Sequence, residues 1–236
     1  MIKLKKPEIS CIIITLNEEK YLPRLLESIK KQTFRNFEII VSDNFSKDNT
    51  RKIARSYGCK IVNGGNFSEG RNKGAKIASG KYLLFLDADS EIPKDFLKIN
   101  LRTFKKSKNG TGAVEGKPLS KILFDKMIFK IGYYYFRVGS IFSPMGVGCG
   151  IFSKKETFDL VGGFDKNVIF SENFDFYRRA FKYGFVYLPI PMYTSVRRLN
   201  KEGRLKFVIK YLYAGIYRSL LGEIKKPIFK YNNVRI

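Results

Sequence analysis

The chain contains no histidine. That removes the side chain most often used as a general base near neutrality and the most frequent transition-metal ligand. A base must therefore be a carboxylate, and a metal must be held by oxygen. Cysteine is scarce: Cys11, Cys59 and Cys149 stand far apart with no metal-type spacing. The first two fall in strand-like runs, which predicts free thiols and a reducing compartment. Acids are few, 21 Asp and Glu against 45 Lys and Arg, a formal charge of +24. Such a surplus favours polyanionic partners, whether nucleic acid, an acidic membrane face or a phosphorylated small molecule. No uncharged apolar run reaches the ~18 residues of a membrane span. The basic opening MIKLKK leads into a strand pattern rather than a leader with a cleavage site. Internal repeats and Ser- or Pro-rich linkers are absent, so the 236 residues read as one domain.

What is present is an alternation. ISCIIITL (9–16) is a β-branched, almost continuously apolar run, as in a strand buried on both faces. NEEKYLPRLLESIKKQ follows with Leu22, Leu25, Leu26 and Ile29 at helical spacing. Asn17 reads as the N-cap of that helix, with Glu18 and Glu19 in its first turn. FEIIVSD, CKIVN and YLLFLDAD are further strands, separated by helices over 50–57 and near FSEGRNKGAKIASG, the latter capped near Ser68. Strands alternating with helices at these lengths predict βαβ units and a mainly parallel sheet. Ligands bind such sheets at the carboxyl ends of the strands. Asn17, Asp43, Asp87 and Asp89 all fall at that edge.

The second half is less regular. It reads as a helix over 93–106, a strand GAVEG, an amphipathic helix over 121–138, and a strand, short helix and glycine turn in MGVGCGIFSKKETFDLVGGFD. SENFDFYRRAFKYG follows as a helix, FVYLP as a strand, and 204–221 as a closing helix. In the 121–138 segment Leu123, Met127, Ile131, Tyr135 and Val138 share one side, with Lys126, Lys130 and Arg137 on another. Beside Tyr133, Tyr134 and Phe136 that pattern fits a helix in a membrane interface. The 204–221 helix reads as core.

Two acids one residue apart at a strand end suit a hard divalent cation bridging phosphate oxygens, Mg²⁺ or Mn²⁺. In isolation Asp-Ala-Asp is better read as a solvated turn, with Asp89 or Ser90 capping the next helix. The motifs before it change that. CIIITLNEE, IIVSDNFSKDNT and GRNKGAKIASGKYLLFLDAD stand in the order and spacing of family 2 glycosyltransferases. The chain resembles that family over nearly its whole length, most strongly over 9–91.

The resemblance implies a GT-A fold: a Rossmann-like, mainly parallel α/β sheet flanked by helices. Residues 1–92 would form the nucleotide-sugar half, 93–203 the acceptor side, and 204–236 a closing helix and tail. Thr15, Asn17 and Glu18 would line the nucleotide pocket, and Asp43 would accept a hydrogen bond from the base. Arg71, with Asn72, would approach the diphosphate or its metal. Asp87, Ala88 and Asp89 would form the DxD motif, with Asp89 and Asp87 as metal ligands. Arg197 and Arg198 in YTSVRRLNKEG would close over the diphosphate through planar, multi-donor contacts. The reaction would be an inverting displacement from a nucleotide-sugar donor, a UDP-sugar, onto a glycan or lipid-linked hydroxyl or phosphate.

One departure matters. Family members carry an acid, the expected base, where this chain has Asn173, and an amide cannot take a proton at neutral pH. Glu172 or Asp175 would serve instead, or the acceptor is already anionic, or activity is lost. The last alternative leaves a silent nucleotide-sugar binder. A nucleic-acid-binding protein, argued from charge alone, lacks a reader motif, and no nucleic-acid partner is expected. The basic surplus and the 121–138 helix suggest a cytoplasmic protein, peripheral on the anionic inner face of the cell membrane.

Overall fold

A computed structural model describes residues 6–226, apart from 142, 143, 147 and the side chain of Ser219. Most of the basic opening, Val147 and the tail beyond 226 thus lie outside the described residues.

The first half is the predicted alternation. Strands β1 (Ile9–Thr15), β2 (Phe37–Asp43), β3 (Lys60–Asn63) and β4 (Tyr82–Asp87) pair in parallel. Helices α1 (Leu22–Lys30), α2 (Thr50–Ser56) and α3 (Phe67–Ile77) make the crossovers. Alternate residues of β1 enter opposite layers: Ile9, Cys11 and Ile13 join one core cluster, Ile12 the other. Both faces of the sheet are covered, which is why β1 and β4 are apolar without alternation. Burial pushes the Cys11 thiol up to about 12, so it is a packing residue rather than a nucleophile. All three cysteines are free, but Cys59 precedes β3 and is only partly buried.

The second half adds β5 (Ser90–Glu91), α4 (Phe96–Ser107), β6 (Thr111–Pro118), α5 (Leu123–Gly139), β7 (Ile151–Lys154) and α6 (Lys155–Leu160). After these come α7 (Glu172–Ala180), β8 (Phe185–Thr194), α8 (Arg197–Glu202) and α9 (Arg204–Leu221). One eight-stranded sheet runs through both halves in the order β3-β2-β1-β4-β7-β6-β8-β5. β7 is antiparallel to β4 and β6, and β5 is antiparallel to β8. The β5–β8 pairing, with Ser90 opposite Thr194, carries the chain after Thr194 across to the end of β4.

Three local expectations are corrected. Asn17 does not cap α1, which begins at Leu22 with Pro23 in its first turn. Proline is tolerated there because its missing N–H has no intrahelical partner. Asn17 instead takes a left-handed conformation, φ 52°, and its side-chain oxygen accepts from Lys47 N at 2.9 Å. Second, α3 is capped by Asn66, whose side chain accepts from Glu69 N at 3.0 Å; Ser68 donates to the Asp165 carbonyl. Third, α9 is not core: its apolar stripe faces solvent, and among its described side chains Ala214 alone is fully buried.

Gly70 and Gly74, one turn apart, seat α3 against β1. A Cβ at Gly74 would lie 2.4 Å from Ile12 Cγ2. Gly74→Ala is therefore expected to destabilise the protein by about 1–3 kcal/mol through overpacking. A lowered urea midpoint would show it; an unchanged one would mean that α3 shifts freely.

Candidate active site

Each parallel strand ends with a polar residue at one edge. Thr15 closes β1 and donates to Asp43 Oδ1 at 2.8 Å, while Asp43 closes β2. Asp43 is completely buried and also accepts from Ser46 N, Ser46 Oγ and Arg51 Nη1. It therefore anchors the turn beneath the cleft. Contact with a nucleobase would require Ser46 or Arg51 to release it.

Asp87 ends β4, and Ala88 inserts its methyl into the core. Asp89 is 4% exposed. The strand pairing described above delivers Arg197 to it: Arg197 Nε lies 3.0 Å from Asp89 Oδ2. The same guanidinium grips Glu18 through both terminal nitrogens, at 2.6 and 2.9 Å, and stacks over Tyr21. Glu18 is itself buried, with its backbone N–H on Thr50 Oγ1. Arg198 turns away and donates to Tyr211 of α9.

Arg71, 3% exposed, is the second hub. It pairs with Glu172, lies 3.5 Å from Asp87, donates to the Gly148 carbonyl at 3.0 Å and packs over Phe164. Asn72, grouped above with the nucleotide site, points elsewhere: it donates to the Phe164 carbonyl and accepts from the Phe164 N–H, clamping the GGFD turn. Asp175 is also structural. Its carboxylate accepts from Arg178 and Arg179, and Arg179 holds the carbonyls of Val161 and Gly163. Of the two acids named as substitute bases, only Glu172 borders the cleft.

The cleft itself, about 290 Å³, lies between the end of β1, the start of α3 and the 168–172 segment. Gly65, Asn66, Phe67, Val168 and Ile169 line it and were not singled out from the sequence. The Gly-Gly-Asn turn before α3 was the available signal, since it opens a helix N-terminus onto the cleft.

Carboxylate oxygens are the donors that a hard divalent cation takes. Glu18, Asp87, Asp89 and Glu172 face Arg71 and Arg197. Among the described residues no group of three or more His, Cys, Asp or Glu is placed to hold an ion. A cation on Asp87 and Asp89 would thus need oxygens from a bound phosphate or water, the mode Mg²⁺ favours.

The profile described as "Glycosyl transferase family 2" matches residues 10–150. An uncharacterized glycosyltransferase of Methanocaldococcus jannaschii is 31% identical over 232 residues, covering 86% of this chain and 76% of that protein. The chain belongs to glycosyl transferase family 2. A relative from Methanococcus voltae is 26% identical over 94% of this chain and 75% of its own length; it is named as a dolichyl N-acetyl-alpha-D-glucosaminyl phosphate 3-beta-D-2,3-diacetamido-2,3-dideoxy-beta-D-glucuronosyltransferase. The crystal structure of Staphylococcus aureus TarS 1-349 with UDP-GlcNAc has a TM-score of 0.64 at 22% identity, covering 80% of this chain and 58% of that one. That likeness establishes the GT-A fold. Against several curated relatives, TarS among them, the chain spans 31% or less of the relative's length.

Asn173, where the resemblance puts the family's expected base, holds a backbone carbonyl. Its Nδ2 donates to the Gly146 carbonyl at 2.6 Å, holding Gly146 against α7. An aspartate would set a carboxylate oxygen against that carbonyl. Asn173→Asp is expected to lower stability by about 1–3 kcal/mol without speeding turnover. Denaturant midpoints and nucleotide release check both parts, and a faster enzyme would refute the assignment.

Proposed function

We propose that this family 2 chain is a glycosyltransferase that moves a sugar from a nucleoside diphosphate donor, UDP-linked, to a hydroxyl or phosphate acceptor with inversion at the sugar carbon. The observation that carries the reading is the cluster of four carboxylates and two arginines at the strand ends, beside the cleft. TarS, of like fold, binds UDP-GlcNAc in its crystals, which supports the choice of donor. Asp87 and Asp89 would hold Mn²⁺ or Mg²⁺, and the bound ion would stabilise charge on the departing diphosphate as a Lewis acid. Arg197 would exchange its carboxylate partners for the diphosphate, since both present planar oxygen pairs to a guanidinium. Arg71 would hold Glu172 and the Gly148 loop at the acceptor side.

A phosphate acceptor is favoured by one feature. Asn173 cannot take a proton, Asp175 is bound by two arginines, and Glu172 is bound by Arg71. An acceptor that arrives ionised needs no base.

A thermal-shift panel of UDP-, GDP- and dTDP-sugars with and without Mn²⁺ tests the reading. A ligand at ~100 times its Kd adds about 2.7 kcal/mol, which is about 5–10 °C for a chain of this size. The shift should appear for at least one donor and require metal. No shift with any donor would sink the proposal. Binding without nucleotide release on any acceptor would favour the silent-binder alternative.

A further inference from the structure

Helices α5 and α9 leave two apolar stripes uncovered. On α5 the stripe comprises Leu123, Met127, Ile131, Tyr134 and Val138; on α9, Leu205, Ile209, Leu212, Ile216 and Leu220. Every one of these side chains is between 46% and 79% exposed. Their spacing of three and four residues keeps each set on one helix face. A contiguous exposed apolar area of this kind marks an interaction surface rather than ordinary scatter.

Two side-chain contacts join the helices in the same order along each, so the two run in the same direction. Asp125, near the start of α5, pairs with Arg204 at the start of α9. Ten residues further along α5, the Tyr135 hydroxyl lies 3.4 Å from where Gly215 would carry a Cβ. At about 100° per residue, these contacts fall on facing flanks of the two stripes. With parallel axes both stripes then look out on the same side. The outer flank of α5 carries Lys126 and Lys130, and the outer flank of α9 carries Lys206, all exposed. The only acid on α5 is Asp125, which is buried, and α9 has none. The result is an apolar surface rimmed with cations and free of exposed negative charge on either helix.

We infer that α5 and α9 form a platform that seats the protein on an anionic lipid bilayer. The charge pattern selects this occupant. Apolar side chains flanked by lysine, with Tyr134 among them, match the depth profile of an anionic membrane interface. A second copy of this chain fits poorly, because each copy brings a formal charge of +24 and the rims would repel. Among the described residues no helix is long and apolar enough to cross a membrane, so the contact lies along the surface. It also adjoins the acceptor side: Phe136 of α5 and Arg218 of α9 both pack on Phe174, next to Asn173. A lipid-borne acceptor would thus reach the site from the docked face, a corollary that alone rests on the glycosyltransferase reading.

Co-sedimentation of the whole chain with vesicles tests the platform without any sugar. Binding is expected to phosphatidylcholine vesicles containing phosphatidylglycerol and to fall when salt is added. Changing Lys126, Lys130 and Lys206 to glutamine should weaken it by about fivefold for each charge removed. The double variant Ile131→Glu, Ile216→Glu should lower it by more than about tenfold while leaving the donor-induced thermal shift unchanged, because both residues are already in water. Equal binding to pure phosphatidylcholine would refute the anionic requirement. No binding to either vesicle, or a dimer broken by the same double variant, would overturn the platform, and neither result would bear on donor binding.

Discussion

Arg71→Met is expected to lose about 3–5 kcal/mol of folding stability, the cost of breaking a buried ion pair from one side. Arg71 is 3% exposed and joins four elements: Glu172 of α7, Asp87 of β4, the Gly148 carbonyl in the loop before β7, and the Phe164 ring of the GGFD turn. Methionine keeps the apolar stem and the packing on Phe164 but leaves the buried Glu172 carboxylate without its guanidinium. Arg71→Lys should fall between, since an ammonium is a point charge that cannot reach three acceptors in one plane. The cause is separable by a cycle. If the stranded carboxylate dominates, Arg71→Met combined with Glu172→Gln should be more stable than Arg71→Met alone by about 1–2 kcal/mol, a coupling typical of residues in direct contact. Additive losses would mean instead that Arg71 acts through packing. Urea midpoints of the four proteins decide between them.

Much of the fold around this site is legible in the sequence, and the reasons are physical. β1 and β4 are buried on both faces, so apart from Ser10 their residues are apolar until the last one, and Thr15 and Asp87 mark the ends. The spacing of GRNKG also carried real information, although more than one kind: Gly70 and Gly74 serve close packing, Asn72 clamps a turn, and only Arg71 reaches the charged cluster. What was not legible falls into two classes. Periodicity gives the side of a helix that is apolar but not what covers it, so α9 read as core although its stripe faces solvent. Contacts between residues distant in sequence leave no local trace. Arg197 meets Glu18 across 179 positions, and only the β5–β8 pairing explains why. The misplaced helix start at Asn17 has a similar origin, because the residue is held by Lys47 and Ser46 from another turn rather than by its own helix.

That long-range contact sets up the second large effect. Asp89→Ala should lower turnover by about 10²–10³-fold, the equivalent of the several kcal/mol a bound cation contributes to charge stabilisation. Two explanations of such a loss compete, because Asp89 is both a candidate metal ligand and a partner of Arg197. If its role were only to hold Arg197, then Arg197→Met would reproduce the defect, and the two proteins would share one thermal-shift profile. If Asp89 holds the cation, the profiles part. Asp89→Ala should lose the Mn²⁺-dependent shift with UDP-sugar entirely, while its fold remains close to native because Arg197 keeps both hydrogen bonds to Glu18. Arg197→Met should lose more stability, since Glu18 and Asp89 are both buried beside it, yet it should retain a metal-dependent donor shift with slowed turnover. A cation also relieves the crowding of two carboxylates that no longer share a guanidinium, so Mn²⁺ alone should stabilise Arg197→Met more than the unaltered chain. Equal Mn²⁺ responses in Asp89→Ala and the unaltered chain would remove the acids at the end of β4 from the metal site.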